Sequence, residues 1–151
     1  MQRVSRAAVR VDGEVVGAIG RGLCVLLSVA PDDDERVAER FATRVATLRI
    51  FADDSGRMNL DLAAAGGEVL VVSQFTLHAD TSRGHRPSFI RAAAPDLAER
   101  LYAAFIAALG ARGLTVATGR FGAHMEVELR NEGPVTLVLS AAEAAWEADA
   151  G

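Results

Sequence analysis

The order of β-prone and helical segments predicts an α+β domain, a mainly antiparallel, barrel-like β-sheet covered by two helices. Three observations carry this expectation. Short β-prone runs, split by turn residues, crowd both ends of the chain. Two segments between them repeat apolar residues at helical spacing. One fully apolar run lies between those two segments. The order is therefore three strands, helix, strand, helix, three strands. No repeat or linker divides it, and 151 residues suit one domain with a real core.

Ala7 to Val11 and Glu14 to Ile19 flank Asp12-Gly13, the strongest short hairpin signal. Gly20-Arg21-Gly22 turns the chain into Leu23 to Ala30, an apolar strand. Those glycines lack the spacing of a nucleotide fingerprint, so they read as turn chemistry. Pro31 and Asp32 to Asp34 start a helix, on which Val37, Phe41, Val45 and Leu48 recur on one face. Phe51 to Gly56 reads as a polar turn, Met58 to Leu60 as the start of a surface segment, and Ala63 to Gly67 as a connector. Glu68 to Phe75 is a buried strand, and Ala79 to Pro87 is a loop rich in hydroxyls, glycine and arginine. Ser88 is placed to cap a short helical turn. Pro95 or Asp96 opens the clearest helix, with Leu97, Leu101, Phe105 and Leu109 on one face and Gly110 and Gly113 as stops. Leu114 to Thr118, Met125 to Arg130 and Val135 to Ser140 are strands, the last two forming a hairpin around Asn131 to Pro134. The expected domain is residues 1–140. Residues 141–151 are an Ala/Glu-rich tail, expected as a frayed helix or mobile.

No apolar run is long or pure enough to span a bilayer, and no signal-peptide core follows the N-terminal arginines. Cys24, the only cysteine, sits in an apolar run and reads as a small buried hydrophobe. The expected location is the cytoplasm. A net charge of −4 argues against a strongly basic nucleic-acid binder without excluding RNA contact, because local distribution matters more. Every basic side chain is arginine. Arg36, Arg40 and Arg44 share a helix face that reads by default as solvated.

Conventional catalytic machinery is missing. Ser73, His78, His85 and Asp80 invite a triad, yet Ser73 lacks the Gly-x-Ser-x-Gly elbow that exposes a nucleophile. His78, His85 and His124 match no zinc spacing, and Asp53-Asp54 and Asp32 to Asp34 read as loop and capping acids. Neither a metal nor a cofactor is expected. Two stretches remain. Ser73-Gln74-Phe75-Thr76-Leu77 places a Gln between two hydroxyls at a strand end. Asn131-Glu132-Gly133-Pro134-Val135-Thr136 offers two backbone carbonyls at a bond that becomes cis cheaply. Taken alone, the first reads as polar strand termination and the second as a turn.

With these motifs the chain resembles the D-aminoacyl-tRNA deacylase family, also called D-tyrosyl-tRNA deacylases. Gln2-Arg3-Val4, Gly56-Arg57-Met58-Asn59, Ser73 to Leu77, Arg86-Pro87-Ser88-Phe89, Thr118 to Met125 and Asn131 to Thr136 follow in family order. Each is short; their ordered combination over nearly the whole chain is specific.

The resemblance implies a homodimer that hydrolyses the ester of D-aminoacyl-tRNA, and of some glycyl-tRNAs, while sparing L-esters. It implies a cis Gly133-Pro134 bond entering the partner subunit's pocket. There its carbonyls would hold the substrate amino group and leave no room for an L side chain. It places Arg3 as a support for that segment, and Phe75, Phe121 and Met125 in the pocket. It assigns Ser73, Gln74 and Thr76 to the catalytic wall, with positioning and oxyanion stabilisation preferred to a Thr76 nucleophile. A binding-only dimer and a synthetase-type editing module are the competing functions. Intact Ser73 to Leu77 and Gly133-Pro134 favour the enzyme.

Overall fold

The computed structural model describes residues 1–141. Of the tail expected at residues 141–151, all but Ala141 lies outside the described residues. The chain runs β1 (Gln2–Val11), β2 (Glu14–Ile19), β3 (Gly22–Leu27), α1 (Glu35–Thr47), β4 (Phe51–Ala52), β5 (Met58–Leu60), β6 (Glu68–Ser73), a short 3-10 turn (Phe75–His78), α2 (Pro95–Ala111), β7 (Val116–Thr118) and β8 (Glu126–Thr136). β1 is the organising strand. It pairs antiparallel with β2, β3 and β8, while β3–β6 and β6–β7 are parallel, so the six-stranded sheet is mixed. Asp12 and Gly13 both take positive φ, as a tight hairpin turn with right-handed strand twist requires. At the far side β2 approaches β7 across Gly17, where a Cβ would collide with the Thr118 carbonyl. The missing side chain lets the sheet curl almost into a closed barrel.

Two apolar clusters explain why β3 and β6 read as unbroken apolar runs. Cys24, Leu70 and Val72 point into the barrel with Val4, Val9 and Ile19. Their neighbours Leu23, Val25, Val69 and Val71 point outward, under the helices, with Phe51, Leu62, Phe105 and Leu109. A strand covered on both faces has no need of polar alternation. Burial raises the Cys24 thiol pKa, as a packed hydrophobe requires. Asp34 caps α1 by accepting from the Val37 amide at 2.9 Å. The buried residues of α1 are Ala38, Ala42, Val45 and Ala46, with Val37 and Phe41 at the margin. The buried stripe is thus shifted towards alanines, whose small side chains let the helix pack closely.

Several local expectations are corrected. Asn131 to Pro134 is not a hairpin turn; β8 is one strand that stays beside β1. Between the pairs Val4↔Asn131 and Gln2↔Thr136 the register shifts, so the longer stretch of β8 bulges out. Proline, which cannot donate to a ladder, is tolerated at such a bulge. Phe51 to Gly56 and Met58 to Leu60 form a small hairpin, β4–β5, rather than a turn and a separate segment. β6 ends at Ser73, and Phe75 begins the 3-10 turn. Ser88 caps no helix. Its amide and carbonyl exchange hydrogen bonds with Asp80 at 3.0 and 2.8 Å, closing the base of the loop between them.

Candidate active site

The C-terminal ends of β3 and β6 open beside the first turn of α2 and the segment between β7 and β8. A cleft of about 580 Å³ lies there, its walls including Ser73, Gln74, Phe75, Phe89, Phe121 and Met125. The sequence places polar groups at this spot because β6 must end: Ser73 is the last strand residue, and the Gln74 amide donates to the Leu27 carbonyl at 2.8 Å. That bond ties the turn to the end of β3. Gln74 Nε2 then donates to Thr76 Oγ1, so the two side chains form one exposed unit. Phe75 packs edge-on against Phe89, with centroids 5.1 Å apart. Phe121 rests against Tyr102 at 5.8 Å.

Five of the nine residues expected at the site therefore share this cleft: Ser73, Gln74, Phe75, Phe121 and Met125. Thr76 adjoins it through Gln74 but is not among its lining residues. Gly133, Pro134 and Arg3 lie elsewhere, on the β8 bulge and on β1. The Gly133-Pro134 bond is cis, and both residues are exposed. Arg3 holds the segment from below: its Nε donates to the Glu132 carbonyl at 3.1 Å, and another guanidinium nitrogen donates to the Ile50 carbonyl at 2.5 Å. Arg21 adds an ion pair to Glu132 at 3.7 Å while its guanidinium lies over the Phe51 ring.

The rejected alternatives have visible partners. His78 Nδ1 lies 2.5 Å from Ser28 Oγ, and Asp80 is engaged by the Ser82 amide and Arg91. No Ser-His-Asp relay connects them to Ser73 among the described residues. Hydrogen bonds from Ser55 and Arg57 hold the Asp53 carboxyl below the usual range, as expected of a loop-closing acid. No group of three His, Cys, Asp or Glu among the described residues is placed to hold a metal ion. A second cavity of about 600 Å³ lies between α1 and the residues following β8. Ser28 lines both, but the strand-end polar wall belongs to the first.

Sequence reasoning missed Tyr102 and did not assign Phe89 to the pocket. Tyr102 lies on the α2 face beside Leu101, and only its lone hydroxyl hinted at a special place. That hydroxyl donates to the Val71 carbonyl at 2.9 Å beneath the cleft. Burial pushes its pKa up to about 12, against a smaller opposing effect of the Thr118 hydroxyl. The folded state thus prefers the neutral phenol. Its contribution is complete below the unfolded value near 10 and is lost as pH rises towards 12. Tyr102 is the only tyrosine, so phenolate absorbance titrates this group alone. The expected midpoint lies well above that of the unfolded chain. Tyr102→Phe should cost about 1 kcal/mol at neutral pH and flatten the alkaline fall in urea midpoint.

Comparison with known proteins gives the family and the fold. The family described as D-Tyr-tRNA(Tyr) deacylase matches residues 1–140. A D-aminoacyl-tRNA deacylase of Symbiobacterium thermophilum is 58% identical over 139 residues, covering 92% of each chain. One of Hahella chejuensis is 57% identical, covering 92% of this chain and 95% of its own. Among solved structures, c-Myc DNA Unwinding Element Binding Protein superposes with a TM-score of 0.86 at 39% identity, covering 92% of this chain and 95% of its own. A probable eukaryotic D-amino acid tRNA deacylase shares the fold, with a TM-score of 0.78 at 18% identity over 88% of this chain and 92% of its own. With a family match over residues 1–140 and relatives above half identity along nearly their whole length, the chain belongs to the D-Tyr-tRNA(Tyr) deacylase family.

Proposed function

We propose that this protein hydrolyses the ester of D-aminoacyl-tRNA, and of mischarged glycyl-tRNA, to free amino acid and reusable tRNA. It is a carboxylic ester hydrolase that proofreads chirality in translation, and it works in the cytoplasm, where charged tRNA is used. The observation that carries this reading is the polar wall Ser73-Gln74 at a strand end inside an aromatic-lined cleft, in a chain of this family.

Ser73 and Gln74 position the ester and, with nearby backbone amides, stabilise the oxyanion. A well-aimed donor of this kind contributes about 2.7–4 kcal/mol to a transition state. The Thr76 hydroxyl takes a hydrogen bond from Gln74 and has no histidine, lysine or carboxylate bonded to it among the described residues. It therefore lacks the base that activates a nucleophile. Thr76 orients Gln74, and the ribose hydroxyl of the tRNA assists ester cleavage.

Chirality is read by exclusion. Gly133 and Pro134 are exposed and do not line the cleft of their own protomer. They enter the cleft of a second copy, where their carbonyls hold the substrate amino group and fill the space of an L side chain. Backbone atoms anchored through Glu132 by Arg3 cannot swing aside as a side chain can. Phe75 and Leu77, each more than half exposed, supply apolar surface beside the cleft for that dimer to cover.

The test is ester loss from D-tyrosyl-, L-tyrosyl- and glycyl-tRNA with purified protein and no added metal. Hydrolysis of the D- and glycyl-esters with the L-ester spared is the expected result. Equal D and L rates would sink the chiral filter. Binding of tRNA without hydrolysis would favour the binding-only dimer.

A further inference from the structure

We infer that the loop from Asp80 to Arg91 is a phosphate-binding rim that grips the single-stranded acceptor end of the tRNA; this rests on the deacylase reading above.

The chain as a whole is acidic, yet this loop holds Arg83, Arg86 and Arg91 against a single acid, Asp80. Asp80 is already committed. Its carboxylate accepts from the Ser82 amide at 2.9 Å and pairs with Arg91 at 3.3 Å. Arg83 and Arg86 are exposed and make no hydrogen bond or ion pair with a described residue. Long cationic side chains left unpaired within a few residues of each other repel unless a polyanion joins them.

The placement of the loop gives it a ligand. Its base is closed by the paired hydrogen bonds between Asp80 and Ser88, so the tip is held rather than trailing. The next residue, Phe89, is a wall of the cleft and packs on Phe75, itself one residue from Gln74. On the outgoing side the Ala93 amide donates to the Val29 carbonyl at 2.9 Å, fixing the second end at the same cleft. The two free guanidinium groups are therefore borne by a braced loop at the mouth of the site that takes the ester. The groups adjoining the reacting ribose in the substrate are the phosphodiesters of an unpaired strand. Arginine is suited to them, because its planar fork bonds phosphate oxygens in pairs. Each such contact contributes a salt-dependent share of affinity without reading sequence, which fits an enzyme acting on many tRNAs.

The experiment compares wild type, Arg83→Ala/Arg86→Ala, Arg83→Lys/Arg86→Lys and Arg112→Ala on two substrates. One is D-tyrosyl-tRNA; the other is the D-tyrosyl ester of adenosine, which has the same bond and no phosphate. Arg112 follows the far end of α2, roughly 25 Å from the Pro95 end that meets the cleft, and controls for loss of positive charge. Uncharged tRNA binding is measured by fluorescence anisotropy beside the kinetics. The double alanine variant should lose about tenfold or more in kcat/KM on the tRNA, through KM, and stay within about twofold on the adenosine ester. The slope of log binding constant against log salt should flatten by about 1.4, two single-strand phosphate contacts. The lysine pair should recover part of the loss, and Arg112→Ala should match wild type. Equal loss on both substrates, unchanged tRNA binding, or the same loss in Arg112→Ala would overturn the rim. Failure of the wild type to hydrolyse either ester would instead overturn the deacylase reading, and the anisotropy result would still judge the loop.

Discussion

Gly133→Ala is expected to reduce the preference for D- over L-tyrosyl-tRNA by about a hundredfold in a protein that still folds. Gly133 has φ +127°, a conformation L-residues rarely adopt. An added Cβ would sit 3.0 Å from both the amide nitrogen and a side-chain methyl of Val135, and 3.2 Å from the Arg3 guanidinium. The backbone neighbour has little room to give, so the bulge must move. Arg3 is pressed at the point where it holds the Glu132 and Ile50 carbonyls, so the anchor moves with it. A filter that works by overlap with an L side chain stores its selectivity in a clash of about 1–3 kcal/mol. Relief of most of that clash corresponds to about two powers of ten in rate ratio. The measurement is kcat/KM on both esters, with the melting temperature as a check on folding. An unchanged ratio in a folded variant would remove this segment from the filter.

Thr76→Ala is expected to keep measurable deacylation, within roughly thirtyfold of wild type, whereas tRNA ending in 2′-deoxyadenosine should lose about a thousandfold. The contrast comes from where the proton can go. Thr76 Oγ1 is tied to the Gln74 amide, a donor that cannot take a proton from it. An unassisted hydroxyl attacks an ester poorly. The ribose hydroxyl next to the ester is held where it can orient an attacking water and pass that water's proton to the departing ribose oxygen, so hydrolysis needs no side-chain base. Single-turnover rates on both substrates measure the difference. Complete loss in a folded Thr76→Ala protein that still binds substrate would favour the nucleophile.

Most of the architecture was legible because local chemistry and burial agree. Asp12-Gly13 forces its turn, Asp34 caps the helix that begins at Glu35, and Leu101, Phe105 and Leu109 mark one buried face of α2. The small β4–β5 hairpin was not legible, since Phe51 is held by the core rather than by a strand pattern. Continuity of β8 through Gly133-Pro134 was also hidden. Those residues spell a turn locally, and only β1, long enough to pair on both sides of them, keeps β8 a single strand across the bulge.

The site divides along the same line. The sequence by itself singled out the candidates: a Gln between hydroxyls at a strand end, two carbonyls at a Gly-Pro bond, and no conventional nucleophile with its base. Only the tertiary structure decided their grouping. Ser73, Gln74, Phe75, Phe121 and Met125 meet in one cleft because β6 and the segment before β8 end at the same side of the sheet. Gly133 and Pro134 stand outside it because β1 holds β8 along a different edge. Spacing along a chain fixes local geometry over a turn or a strand. Distance between segments some sixty residues apart is set by strand pairing and packing, which no short motif encodes.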